Sequence, residues 1–267
     1  MHRIAFAAIL SIFIASPALA EGEIVITQAK AIAGNVTPGD TAGFPVTLSR
    51  PGAYVMASNL TVTAGSYGFQ ITSHNVDIDM NGFVLSGGGV ANYGLVSHYY
   101  GESRIHDGVI NTFRSYGIYV RNNAWTIENM KIVRNGGSGI DANGASFIAV
   151  NNSLIATNGG YGVITGDNGS FRNSTFSGNK AHAIYCGDTC HAEGNIITKN
   201  LSGISFTSGM VLGNTIARNT SVAVYDITGA ADTGFANNML IENYPSGTTQ
   251  TLYVAAIHPN TCIGKPC

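Results

Sequence analysis

The sequence predicts an all-β solenoid of short, stacked coils, and three observations carry that prediction. First, one Asn recurs at Asn135, Asn158, Asn179, Asn200, Asn219 and Asn243, in steps of 23, 21, 21, 19 and 24 residues. Second, apolar residues travel with it: Ile132, Ile155, Phe176, Ile197, Ile216 and Leu240 three places before, and Ile127, Val150, Phe171, Ala192, Val211 and Phe235 eight places before. Third, a small residue and then an aliphatic one follow it, as Gly139-Ile140, Gly162-Val163, Ala183-Ile184 and Ala223-Val224, with Gly203-Ile204 in the shorter fourth unit.

A period near 21 is too short for the common helical repeats. Ile, Val and Phe in the fixed places favour strands over leucine-rich units. Three apolar columns imply three short strands per coil. One coil cannot bury its own apolar side, whereas coils stacked ~4.8 Å apart share one continuous core. Stacked Asn side chains can bond to one another along the axis, and Asn tolerates the left-handed backbone of a sharp corner. The column is therefore read as a structural corner.

From Asn75 to Asn243, the small-Ile pairs, Asn-rich turns and apolar residues three before the next Asn resemble the parallel β-helix repeat of the pectin-lyase-like superfamily. That resemblance implies a right-handed parallel β-helix, the hand general to parallel crossovers. It leaves activity open, because such coils carry lyases, hydrolases, epimerases, phage tailspikes and non-catalytic proteins.

Residues 1–20 read as a secretory signal peptide: a basic start at His2 and Arg3, an apolar run from Ile4 to Ala15, and Ala18-Leu19-Ala20 before Glu21. Export to the periplasm or the medium follows, with no transmembrane anchor after cleavage, since no stretch reaches the ~18 apolar residues of a span. Losing Arg3 moves the formal charge from -2 to -3, which offers no electrostatic footprint for nucleic acid. Residues 21–63 do not fit the repeat. Pro38, Pro45 and Pro51 mark loops and edge strands there, and the segment is expected to cap the solenoid, with Gly52 to Val62 as a lead-in strand. The β-helix is expected over 64–243. In its first coils Val76, Ile78 and Met80 alternate with Asp77, Asp79 and Asn81 before a turn at Asn81-Gly82. Two carboxylates without further acidic neighbours fall short of a Ca²⁺ site, so they read as an outward polar row. Residues 244–267 form a C-terminal cover with one more strand, Thr251 to Ile257, and a Cys-bearing tail.

The densest set of ionisable and aromatic groups lies between His98 and Arg121. Gly117-Ile118 align with Gly139-Ile140, which puts Phe113 in the Asn place and sets outward rows. One row runs Tyr119, Asp141, Ile164, Tyr185, Ser205 and Tyr225; in a second, Arg121 lies above Asn143. Tyr rings suit sugar faces, and Arg and Asn suit hydroxyls or a uronate carboxylate. Tyr119, Arg121, Asp141, Asn143 and Tyr185 are the candidate glycan-binding set. Within it Tyr119, Arg121 and Asp141 are the catalytic candidates, suiting a lyase or epimerase better than a hydrolase, because Asp141 has no partner carboxylate on adjacent rungs. Cys186 and Cys190, flanked by His182 and His191, and Cys262 and Cys267 near the end read as disulfides of an exported chain, either local pairs or a tail pinned across the solenoid. No metal or cofactor is expected. The leading reading is an exported β-helix that engages a polysaccharide or glycan on a lateral face. The alternative is a non-catalytic structural or protein-interaction solenoid of the cell envelope.

Overall fold

The computed structural model describes residues 22–122, 124–226, 232–243, 249–252 and 254–264; residues 1–20, expected to be a signal peptide, and Cys267 lie outside them. Each coil makes three short strands, for example Phe147–Asn151, Leu154–Ala156 and Val163–Thr165. They define a first, second and third face around one core. The third face is a sheet of ten described strands, from Val46–Leu48 to Thr251–Leu252. The first and second faces join into nineteen, because Glu102–Asn111 and Ala124–Val133 run unbroken across the corner between them.

Every pairing is parallel, and the three apolar columns stack as the repeat requires. Ile132 lies over Ile155, Ile155 over Phe176 and Phe176 over Ile197. Ile127, Val150 and Phe171 align on the first face, and Ile118, Ile140, Val163 and Ile184 on the third. These side chains are fully buried. At ~1.5–3 kcal/mol for each large apolar side chain removed from water, the columns supply the main stabilising term. Small residues hold the place after the Asn corner for a steric reason. A Cβ on Gly139 would stand 2.7 Å from Ile155 Cγ2 and 2.9 Å from Asn158 Nδ2.

The Asn column is buried and forms a ladder. Asn158 Nδ2 donates to Asn179 Oδ1 in the next coil at 3.0 Å and to the Ile132 carbonyl at 3.0 Å. Asn158 Oδ1 accepts from the Asn135 backbone N and side-chain Nδ2. The ladder starts at Phe113, whose N–H donates to Asn135 Oδ1, and ends on Gln250 Oε1, which accepts from Asn243. Buried amides so satisfied avoid a desolvation penalty of ~1–3 kcal/mol per group. One expectation is corrected: these Asn residues do not adopt the left-handed conformation. Their predecessors do, at Arg134, Thr157, Gly178, Lys199, Arg218 and Glu242, with φ from 48° to 65°. The Asn side chain instead bridges the coils behind that bend.

A second ladder, between the first and second faces, joins Ser153, Ser174, Asn195, Asn214, Asn238 and Asn260 in steps of 21, 21, 19, 24 and 22 residues. Its left-handed predecessors are Asn152, Asn173, Gly194, Gly213 and Asn237. One and two coils earlier the same corner column holds Asn129 (φ 52°) and Asp107 (φ 57°).

The parallel ladders reach beyond the repeat visible in the sequence. Gly52–Met56 and Leu60–Thr61, separated by a turn, pair with Val76–Asp79 and Val84–Ser86, so the expected single lead-in strand is two strands of a coil. A helix, Gln28–Ala33, is capped by Thr27, whose hydroxyl accepts from Lys30 N, and buries Ala31. At the other end Thr251–Leu252, Ala255–Ala256 and Thr261–Ile263 pair with the preceding coil, again as separate strands. Cys186 and Cys190 form a local disulfide at a corner. Cys262 is also disulfide-bonded. No helix among the described residues is long and apolar enough to cross a membrane.

Candidate functional site

The third face carries the residues singled out from the sequence, in the expected order: Tyr119, Asp141, Ile164, Tyr185, Ser205 and Tyr225 are successive neighbours. Arg121 Nη1 lies 2.8 Å from Asp141 Oδ1, and its guanidinium carbon stands 4.1 Å from the Tyr119 ring centroid. The same nitrogen donates to the Val120 carbonyl at 2.9 Å. Asp141 Oδ1 also accepts from the Asn143 backbone N. The Tyr119 ring is stacked with Tyr116 at 5.7 Å and contacts Tyr93 and His98. The side chains of Arg121 and Asp141 are only 21% and 11% exposed. The charges thus neutralise each other under a cover of rings. Burial, and next the negative charge of Asp141, pushes the Tyr116 phenol above its ordinary pKa. Asn143 stays exposed beside the pair. Tyr185 stands three coils further on, in a separate group with Tyr161 and His182. There Ser205 Oγ is 2.7 Å from His182 Nδ1, and burial pulls the His182 pKa down.

The first face brings together a different set. Asp77 pairs in register with Arg104, and Asp79 with His106, across two coils. Thr126 and Glu128 continue those two rows. His106 Nδ1 lies 2.6 Å from Asp107 Oδ2 and 3.9 Å from Asp79 Oδ1. Its Nε2 lies 3.4 Å from Asp77 Oδ1, which Arg104 Nε also approaches to 3.4 Å. Neither approach has hydrogen-bond geometry, and Asp77 Oδ1 is a solvent-inaccessible atom without a hydrogen bond. Asn129 Nδ2 donates to Asp107 Oδ1 at 3.1 Å. The hydrogen bond with His106, above all, holds the Asp107 carboxyl below its ordinary pKa. An ionised carboxylate only accepts, so Nδ1 carries the hydrogen in that contact and Nε2 is left as the basic nitrogen.

The reason for this convergence is local. Asp107 occupies the left-handed corner column, where Asp is tolerated because its short polar side chain suits that backbone. The bend aims its carboxylate outward beside the preceding His106. A groove of about 500 Å³ adjoins it, lined by Asp79, Asn81, Asp107, Asn129 and Lys131 among others. A second groove of about 320 Å³ is lined by Asp77, Glu102, Arg104 and Thr126 with their neighbours. The expectation that Asp77 and Asp79 lack a further acidic neighbour is therefore corrected, since Asp107 lies against the same imidazole. The two Asp were legible as an outward row. His106 and Asp107 were visible only as members of a charged stretch.

The sequence matches the family model described as "Right handed beta helix region" over residues 48–193 and 96–240. The chain belongs to that family. Two solved structures share the fold, both A-modules of mannuronan C-5 epimerases from Azotobacter vinelandii. AlgE6 superposes with a TM-score of 0.59 at 15% identity, over 91% of this chain and 84% of that one. AlgE4 gives 0.52 at 14% identity, over 91% and 85%. No curated protein matches the chain in sequence.

Proposed function

We propose that this is an exported β-helix protein that binds an acidic polysaccharide across the first face and removes the proton at C5 of a uronate unit. The observation that carries the reading is the His106 imidazole, oriented through Nδ1 by Asp107; its neighbours line two grooves, Asp79 and Asp107 one with Lys131, and Asp77 the other with Arg104. An imidazole so held presents Nε2 as a general base, a role that contributes typically ~10²–10⁴-fold. Arg104, 44% exposed and only loosely paired with Asp77, is free to turn onto the substrate carboxylate in a bidentate geometry. That contact stabilises the negative charge that C5–H cleavage pushes onto the carboxylate. Return of a proton on the opposite face gives epimerisation; loss of the O4-linked sugar gives elimination. The activity for which the two structural neighbours are named, C-5 epimerisation of mannuronan, lies in this class and adds support. The Cys186–Cys190 disulfide fits the oxidising compartment that export implies.

The test is incubation of the mature protein in D₂O with polymannuronate, polygalacturonate and glycosaminoglycans. Epimerisation is expected to place solvent deuterium at C5 on one of them, read by NMR, whereas elimination leaves no hydrogen at C5 and is read as unsaturated chain ends. No deuterium and no unsaturation across the panel would overturn the catalytic reading. The non-catalytic scaffold would then stand, and one observation already favours it for the third face: Arg121 and Asp141 are satisfied by each other.

A further inference from the structure

We propose that Asp79, His106 and Asp107 form a binding site for one borderline divalent metal ion of the Zn²⁺ class. One ligand atom from each lies within 4.8 Å of the others. Tetrahedral ligands at the usual ~2.0–2.1 Å from zinc stand roughly 3.3–3.4 Å apart. His106 Nδ1 is 2.6 Å from Asp107 Oδ2 and 3.9 Å from Asp79 Oδ1, so these two pairs must move by about 0.5–0.8 Å, and the pair of carboxylates, within 4.8 Å of each other, by at most about 1.4 Å. Both Asp side chains have room for that rotation, being 36% and 48% exposed, whereas the imidazole, 10% exposed, is held in place.

Two further features point to a cation. Asp77 Oδ1 is sealed from solvent without a hydrogen bond, 3.4 Å from the same ring. Beside the imidazole stand the carboxylates of Asp77, Asp79 and Asp107 and, in register on the next coil, Glu128, with the cations of Arg104 and Lys131 in the adjoining grooves. That excess negative charge favours a bound cation over an empty cluster. The carboxylates are braced for it, as Asn129 Nδ2 donates to Asp107 Oδ1 and Asn81 N donates to Asp79 Oδ1 at 2.6 Å. A nitrogen ligand and a set of three disfavour Ca²⁺, which takes six to eight oxygens. Three protein ligands leave the fourth tetrahedral position to water.

A regulatory consequence rests on the proposed proton abstraction at this imidazole. Metal on Nδ1 displaces its hydrogen onto Nε2 or to solvent. While the metal is bound, a neutral ring carrying its proton on Nε2 has no lone pair for substrate. Metal binding and catalysis are then mutually exclusive, and the ion acts as an inhibitor.

The experiment is calorimetric titration of the full mature chain, stripped with chelator, using ZnCl₂ and, as comparison, CaCl₂. One equivalent of Zn²⁺ is expected, with affinity at least tenfold above Ca²⁺, falling at least tenfold in His106→Gln and again in Asp79→Asn. His191→Gln, which alters the other His–carboxylate contact of this face, is expected to leave it unchanged. Circular dichroism confirms that each variant is folded, and Asp107→Asn replaces any that is not. Zn²⁺ binding that survives these first-face variants, or that is lost in His191→Gln, overturns the site, as does the absence of saturable binding. The two readings fail separately. Binding with neither deuterium exchange nor unsaturated ends in metal-free protein sinks the catalysis and keeps the site. Exchange that is indifferent to Zn²⁺, with no binding, sinks the site and keeps the catalysis.

Discussion

Two clusters of charged and ring side chains sit on the same solenoid, one coil or so apart, and they have opposite characters. On the third face Arg121 and Asp141 meet at 2.8 Å with little exposure, under Tyr119 and its neighbours, and each satisfies the other. On the first face His106 is shared among three carboxylates, Arg104 is loosely held, and grooves adjoin the set. What separates them is completeness. A closed pair stabilises the fold and has nothing left for a ligand; an over-supplied imidazole costs stability unless something else is bound or exchanged there.

Substitutions can break that contrast. The largest expected effect is on chemistry: His106→Gln should lower the rate of C5 proton removal by ~10²–10⁴-fold, while costing about 1–3 kcal/mol in unfolding free energy, because a largely buried imidazole gives up its hydrogen bond to Asp107. A larger loss of stability would mean the cluster is structural after all. The reverse is expected of the other face. Asp141→Ala should cost roughly 2–4 kcal/mol in denaturant unfolding, because Arg121 is left partly buried and unpaired, while exchange is unchanged. Replacing both, as Arg121→Met with Asp141→Leu, should recover most of the loss; failure to recover would show that the pair does more than neutralise itself.

A smaller effect is pH-dependent. Burial depresses the folded pKa of His182 below the ordinary histidine value of 6.5. The unfolded chain therefore takes up a proton first as pH falls. Stability should be full above pH 6.5 and decline below it until the folded pKa is passed, with a slope of at most about 1.4 kcal/mol per pH unit. His182→Gln should flatten that stretch, and an unaltered curve would remove His182 from the account. The smallest effect belongs to Arg104→Ala, below about 0.5 kcal/mol in stability, given an exposed pair at 3.4 Å; its mark should be a raised KM for an acidic polysaccharide.

The third-face cluster was legible because its rungs follow the Asn marker: Gly117-Ile118 and Gly139-Ile140 fix the offset, and Tyr119 over Asp141 follows. The first-face cluster was not. Its coil has no Asn marker, and its step from Asp79 to His106 is longer than the common period, because the loop through His98 to Gly101 is interposed. The second ladder had a readable period but changes from Ser to Asn partway along, which hides it from a search for one residue type.

By itself the chain of residues determined the solenoid, its three apolar columns, the Asn ladder and the vertical neighbours on the third face. Those follow from hydrophobic periodicity, which repeats in every unit and needs only an average coil length. Tertiary structure alone decided that His106 and Asp107 face Asp77 and Asp79, that Arg121 spends its charge on Asp141, and that a left-handed bend precedes each Asn of the first ladder. Such contacts depend on the exact residue count of single coils and on side-chain direction at one corner, and neither repeats along the chain.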